Sequence, residues 1–262
     1  RGFGGPQGIA VIENIIDRIA RHLGKDPLEI RKLNFYQDDI ENTTHYGQKV
    51  ENNRLPALYD QLIKTSHYFE RRSQINQFNL PKAFGINKFT KRGLAMTPVK
   101  FGISFTTAYL NQAGALVHIY NDGTVQVNHG GTEMGQGLYA KILQVAASEL
   151  GIDPKFIKVT STNTSKVPNT SATAASSGSD LNGMAVKNAI DKLKTRLSEV
   201  AANVAFKGNS KPGDIRFEKD VVFDSKNQEN KIQFPELINL AYLNQTSLSA
   251  TGFYKTPNIF YD

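Results

Sequence analysis

The sequence predicts an α+β fold from three observations: apolar residues at helical spacing over roughly the first eighty positions, strand-like alternation from about Arg92, and helical runs returning between further strands. Pro6 suits a first helical turn, and Ile9, Ile12, Ile15, Ile16, Ile19 and Leu23 continue an amphipathic helix to Gly24. Asp26-Pro27 opens a second helix to about Phe35, because aspartate caps a helix start and proline there forfeits only an orphan N–H. Gly47 and Asn52-Asn53 mark a break. A third helix is expected from about Leu55 to Phe78, with Leu58, Leu62, Tyr68, Phe69 and Ile75 on one stripe.

Gly93 to Ser104 reads as extended chain. Ala115 to Tyr120 and Thr124 to Val127 flank Asn121-Asp122-Gly123, the signature of a hairpin with a tight turn. Leu138 to Leu150 is expected as a helix ended by Gly151, Phe156 to Thr160 as a strand, Val167 to Ser179 as a Ser/Thr/Ala loop, and Met184 to about Val204 as a long helix. Gly208 to Lys231 is polar and turn-rich, a surface insertion with one short strand at Val221-Val222-Phe223. Pro235 to Leu243 reads as a helix and Leu248 to Tyr254 as a closing strand. The chain thus divides into a mainly helical part, 1–85, and an α+β part, 86–262, with the insertion at 208–231.

A length of 262 residues with 39% hydrophobic side chains suffices for one or two domains with a substantial core. No apolar run is long enough to span a bilayer and no charged-then-apolar leader opens the chain, so no membrane partner is expected and the expected compartment is cytoplasmic. The absence of cysteine excludes disulfides, cysteine-held iron–sulfur clusters and Cys-type zinc sites within these residues. Net charge is +7, but the cations are scattered, and the clusters at Arg71-Arg72 and Lys88 to Arg92 make no basic stripe; no nucleic-acid partner is expected. The opening Arg1-Gly2-Phe3-Gly4-Gly5-Pro6-Gln7-Gly8, without methionine, reads as the middle of a longer polypeptide.

The most informative segment is Gly130-Gly131-Thr132-Glu133-Met134-Gly135-Gln136-Gly137, four glycines between a strand and a helix. Glycines let a ligand approach main-chain N–H groups, the following helix aims its unsatisfied N–H groups at the same place, and Gln136 offers an amide that both donates and accepts. The alternative is a tight left-handed connection and nothing more. Other chemistries lack residues. His22, His45, His67, His118 and His129 contain no His-x-x-x-His pair, so no side-chain metal site is expected. Gly2-Phe3-Gly4-Gly5 lacks the third fingerprint glycine and a preceding strand, and the serines from Ser171 to Ser179 include no nucleophile elbow.

Four ordered blocks carry a resemblance: Arg1 to Gln7, Lys100-Phe101-Gly102-Ile103-Ser104-Phe105-Thr106, the glycine loop, and Pro168-Asn169-Thr170-Ser171-Ala172-Thr173-Ala174-Ala175-Ser176, with Leu248 to Pro257 fitting at the end. Together they resemble the molybdopterin-binding region of the xanthine dehydrogenase family. The resemblance implies an oxidoreductase that hydroxylates hypoxanthine and xanthine to urate with water-derived oxygen at a molybdenum-molybdopterin centre. It also implies FAD and [2Fe-2S] clusters on other domains or subunits and an oligomer in the intact enzyme. The metal is held by its pterin rather than by a protein side chain.

By position, the resemblance makes Phe3 and Phe105 the two rings that sandwich a flat purine, with Thr106 hydrogen-bonding it. The backbone N–H of Arg1 falls near the metal's equatorial ligands, and Met134 and Gln136 meet the pterin or a molybdenum oxygen. Ala175, Ser176, Ser177, Gly178, Ser179 and Asp180 present backbone N–H groups to the pterin and its phosphate. Glu133 is the tempting general base. The family's base, however, lies in a Gly-Glu motif past Asp262, so Glu133 is expected to be structural, no catalytic residue is assigned, and the fragment alone is expected to be inactive. Aldehyde oxidases share the glycine loop, but Gly5 and Gly102 to Thr106 favour xanthine dehydrogenase. The remaining alternative is a scaffold that holds cofactor or partners without chemistry.

Overall fold

The computed structural model describes residues 2, 4–37, 40–81, 89–166 and 169–259 and divides into two compact units, 1–102 and 103–261. Among the described residues the first unit holds four helices: α1 (Gly5–Leu23), α2 (Pro27–Leu33), α3 (Leu55–Ser66) and α4 (Tyr68–Asn79). The expected single helix from Leu55 to Phe78 is two, because His67 adopts a left-handed φ of 49° that breaks the ladder between α3 and α4. Gly24, at φ 64°, ends α1 as its position suggested.

The small core of this unit is Leu28, Tyr59 and Tyr68, and charged groups organise its margins. Asp26 caps α2 by accepting the Leu28 N–H at 2.9 Å, and it also accepts the Tyr68 hydroxyl at 3.0 Å and pairs with Arg72 at 3.1 Å, tying α2 to α4. Burial first, then the Asp26 hydrogen bond, pushes the Tyr68 phenol up to about 12. Arg31, 3% exposed, pairs with Glu13 at 2.6 Å and Asp17 at 2.8 Å, so α2 is pinned to α1 by a buried guanidinium. Between Gly93 and Gly102 the chain is irregular rather than a strand.

The second unit carries the α+β architecture expected. A four-stranded sheet runs in the order β3 (Ile157–Val159), β2 (Val125–His129), β1 (Gln112–Ile119), β7 (Ser249–Lys255). β1 pairs antiparallel with β2 through the expected hairpin, in the register Ala115 opposite His129 to Ile119 opposite Val125, and β2 pairs parallel with β3 across α5 (Leu138–Leu150). Helix α6 (Gly178–Val200) begins six residues before the expected Met184, since the small polar residues there start a helix rather than extend the loop. A π-helical turn, Ala201–Ala205, follows it.

Helices α5, α6 and α7 (Phe234–Leu243) cover the sheet with Ile142, Leu150, Ile190, Leu193, Leu197, Leu237 and Ile238, packed on Val117, Ile119 and Val127. A second sheet joins the same core: β4 (Ile215–Glu218), β5 (Val221–Asp224) and β6 (Lys231–Gln233), antiparallel, with Ile215 and Val222 buried. The stretch 208–231 thus holds two strands and the start of a third, where sequence suggested one. Among the described residues no helix is long and apolar enough to cross a membrane.

Two kinds of contact fix α6 against β7, a close backbone approach and a row of side-chain hydrogen bonds. A Cβ on Gly252 would lie 1.8 Å from the Ala185 carbonyl oxygen, so only glycine permits this approach. Beyond it, α6 supplies donors at every fourth residue to alternate carbonyls of the edge strand. Asn188 Nδ2 reaches Phe253 O at 2.7 Å, Lys192 Nζ reaches Thr251 O at 2.8 Å, and Arg196 Nη1 reaches Ser249 O at 2.9 Å. Four helical residues rise about 6 Å and two strand residues about 6.8 Å, so the spacings match.

Candidate functional site

Antiparallel pairing brings the start of β1 and the end of β2 to one end of the sheet, and three loops meet there. Residues 103–111 lead into β1, residues 130–137 leave β2, and residues 169–177 run beside the start of β1. In that third loop the Ser171 N–H donates to Gln112 O at 3.0 Å and the Gly114 N–H donates to Thr170 Oγ1 at 3.1 Å. Two bonds stitch the loops together: Ser104 N–H to Ala175 O at 3.0 Å, and Thr132 N–H to Thr173 Oγ1 at 2.8 Å.

The first loop is shaped by Asn111, 1% exposed. Its Oδ1 accepts the Phe105 N–H at 2.7 Å, while its Nδ2 donates to Phe105 O at 2.9 Å and Thr107 O at 3.0 Å. One buried amide thereby closes the turn that holds Phe105 half-buried and leaves Thr106 exposed. Ser104 enters that turn at φ 91°, an uncommon conformation for a non-glycine residue, tolerated where surrounding bonds over-determine the backbone.

In the glycine loop the four glycines do two different jobs. A Cβ on Gly130 would meet Thr170 at 2.3 Å, and one on Gly131 would meet Leu138 at 2.5 Å and the Asn182 amide at 2.8 Å, so these two make room for the chain's own side chains. Gly135 and Gly137, at φ 90° and 76°, make the left-handed turns and have nothing within 4 Å of the missing Cβ. The expectation that α5 aims unsatisfied N–H groups at a ligand is corrected by Glu133. Its carboxylate accepts Gly135 N–H at 2.9 Å, Gly137 N–H at 3.0 Å and Tyr139 N–H at 3.0 Å, which places the chain's own negative charge at the start of α5 and takes up one of its helical N–H groups. Those bonds, the one from Tyr139 foremost, hold the Glu133 carboxyl below its ordinary range.

Gln136 also folds onto its own loop, with Oε1 accepting the Met134 N–H at 2.5 Å and Nε2 donating to Thr132 O at 2.9 Å. One amide hydrogen stays unspent, and both Gln136 and Met134 are exposed.

The third loop ends differently. Ala175 and Ser176 sit at φ 51° and 57°, two successive left-handed non-glycine residues leading directly into α6. Ser177 occupies the cap position but its Oγ turns back to Ala174 O at 3.0 Å, and no side chain caps the helix. The first intrahelical bond runs from Leu181 N–H to Ser177 O, so the N–H groups of Gly178, Ser179 and Asp180 have no intrahelical acceptor. Asp180 accepts Thr256 Oγ1 at 3.4 Å, bringing the end of β7 to the same place.

The structure therefore gathers Phe105, Thr106, Met134, Gln136 and the Ala175 to Asp180 segment at one end of one sheet. Arg1 and Phe3 lie outside the described residues. Sequence reasoning assigned no loop-holding role to Asn111, Thr170, Thr173, His129 and Asn182, whose hydrogen bonds hold the loops. Asn111, polar at the mouth of an apolar strand, was the one visible signal. His129 is 1% exposed; its Nδ1 accepts the Gly131 N–H at 3.1 Å, and burial lowers its pKa to about 4, so it is neutral. Among the described residues no group of three or more His, Asp or Glu could hold a metal ion.

Compared with known proteins, the chain matches a family model described as a molybdopterin cofactor-binding domain over residues 61–262 and a second of the same description over residues 1–35. It is 44% identical over 262 residues to xanthine dehydrogenase of Calliphora vicina and 42% identical to xanthine dehydrogenase/oxidase of Gallus gallus. All of this chain is covered in both, but it spans only 17% of either relative's length. Among solved structures, it is similar to quinoline 2-oxidoreductase from Pseudomonas putida 86, with a TM-score of 0.72 at 19% identity over 96% of this chain and 33% of that one. Aldehyde oxidoreductase from Desulfovibrio gigas gives 0.61 at 22% identity over 98% of this chain and 24% of that one. At such identities the structural likeness bears on fold alone.

Proposed function

This chain belongs to the molybdopterin cofactor-binding domain family, and from that premise we propose that it is the cofactor-holding part of a xanthine dehydrogenase hydroxylating hypoxanthine and xanthine to urate. The observation that carries the reading is the open start of α6 beside the carboxylate-occupied start of α5. Glu133 holds its own carboxylate at the α5 terminus, whereas no side chain caps α6 and Gly178, Ser179 and Asp180 keep their N–H groups at the meeting point of the three loops. Such a terminus suits the phosphate of a pterin cofactor, and main-chain donors there hold it without a lysine or arginine.

A bound molybdenum centre would supply the two-electron hydroxylation of a purine carbon with water-derived oxygen, with [2Fe-2S] clusters and FAD on other domains as the electron route. The roles proposed for this chain's residues are binding and orientation. The amides of Gly178 to Asp180 receive the phosphate, and Gln136 donates its unspent amide hydrogen to a cofactor oxygen. Phe105 stacks on the flat substrate from a turn clamped by Asn111, and Thr106 hydrogen-bonds the substrate edge. Glu133 is already bonded to three backbone N–H groups, so the 262 residues by themselves are expected not to oxidise xanthine.

The test is steady-state oxidation by the full-length enzyme, with molybdenum and pterin measured per protein. Hypoxanthine and xanthine should be preferred. A strong preference for simple aldehydes would replace this reading with an aldehyde oxidase, and cofactor absent from a folded preparation would leave a scaffold.

A further inference from the structure

Buried behind the glycine loop are two polar atoms without a hydrogen-bond partner, His129 Nε2 and Asn182 Oδ1. They belong to neighbouring side chains: the Asn182 carboxamide lies against Gly131, whose N–H donates to His129 Nδ1, and Nε2 and Oδ1 close no hydrogen bond in this structure. Because Nδ1 accepts, the proton of the neutral ring is on Nε2, the side of Asn182. Asn182 in turn donates from Nδ2 to Gly178 O at 2.8 Å, which fixes its amide with Oδ1 left for the histidine.

We propose that His129 and Asn182 form a buried positioning relay, running from the Gly131 N–H through the imidazole and the carboxamide to the Gly178 carbonyl, that sets the glycine loop and the first turn of α6 in one fixed relation. This rests on the reading above that both elements hold the cofactor, and it names what aligns them. The relay has a direction. Its two outer links are in place, and the proposed middle link is donation from Nε2–H to Oδ1, so the only histidine state that completes it is neutral with the proton on Nε2. Gly130 and Gly131 are then glycines because the relay and Thr170 fill the space their side chains would take.

The experiment is hydrogen exchange with peptide resolution on the full-length protein, prepared with and without molybdenum cofactor, reading segments 130–137 and 178–182. His129→Phe keeps the ring but removes both polar atoms, and should speed exchange in both segments by about five- to tenfold even without cofactor. Asn182→Leu should do the same, and the double variant should be no worse than either alone, since both cut one connection. His129→Asn retains an acceptor where Nδ1 was, so it should keep the Gly131 amide protected while loosening 178–182; packing alone would not separate the two segments. Exchange at 178–182 unchanged in His129→Phe, additive effects in the double variant, or identical behaviour of His129→Asn and His129→Phe would each overturn the relay. Cofactor content decides the other question. A wild-type protein that holds no molybdopterin but shows the coupled exchange would retire the proposed function and leave the relay standing.

Discussion

At the residue scale the site is governed by side chains that spend their hydrogen bonds on backbone. Glu133 illustrates the difference between a carboxylate in the right loop and a carboxylate free to take a proton: three N–H groups hold it ionised and fix its oxygens. Glu133→Gln should therefore lower the melting temperature while leaving the pH profile of kcat/KM in place; kcat lost with melting unchanged would make it a base. Asn111 gives the complementary case. Asn111→Ala removes a buried amide with three short backbone bonds, at about 1–3 kcal/mol, and should raise KM for xanthine more than it lowers molybdenum content, because only the Phe105 turn depends on it. Equal loss of metal would place Asn111 in the general core instead. Sequence reading proposed Gln136 from the chemistry of its amide and Phe105 only through the family resemblance. It missed Asn111 and His129, whose partners are set by register between distant segments, which no local spacing encodes.

At the element scale, legibility followed how locally each boundary is determined. The hairpin and the end of α5 at Gly151 were readable because Asn-Asp-Gly and a left-handed glycine decide them within a few residues. The break at His67 was not, since a histidine at φ 49° carries no glycine-like signature. Nor was the early start of α6, where small polar residues wind into helix under tertiary contact with β7 and the glycine loop. That contact is demanding. Gly252→Ala puts a methyl carbon onto the Ala185 carbonyl and should destabilise by about 3 kcal/mol or abolish folding, measured by urea unfolding. The donors of α6 protect the same strand, because β7 is the sheet's edge and its outward carbonyls would otherwise recruit another chain. Replacing Asn188, Lys192 and Arg196 together by alanine should produce concentration-dependent self-association in light scattering, with secondary structure retained. A variant that stays monodisperse would show that β7 needs no such cover.

At the scale of the whole molecule the two compact units carry opposite sensitivities to pH, each traceable to one buried ring. In residues 1–102 Tyr68 has its phenol raised to about 12 by burial and the Asp26 bond. A group raised in the fold contributes stability that is complete below its unfolded value near 10 and lost as pH climbs through about 12. In residues 103–261 His129 is lowered to about 4, chiefly by burial, against 6.5 unfolded. Between those two values the unfolded chain binds the extra proton, so stability is complete above pH 6.5 and drains as pH falls toward 4. Either shift corresponds to about 3 kcal/mol at full expression. Protonation would also turn Nδ1 from acceptor to donor against the Gly131 N–H, so the acid loss should begin at the glycine loop. Urea midpoints of the full-length protein at steps from pH 7.5 to 4.5 should decline steadily, and His129→Asn, which cannot titrate, should flatten most of that slope while starting from lower stability at pH 7.5. Tyr68→Phe should leave the acid limb alone and flatten the alkaline one above pH 10. An acid limb equally steep in His129→Asn would rule His129 out as its source, since carboxylates held low by hydrogen bonds lose their contributions only below their unfolded values near 4, outside this window.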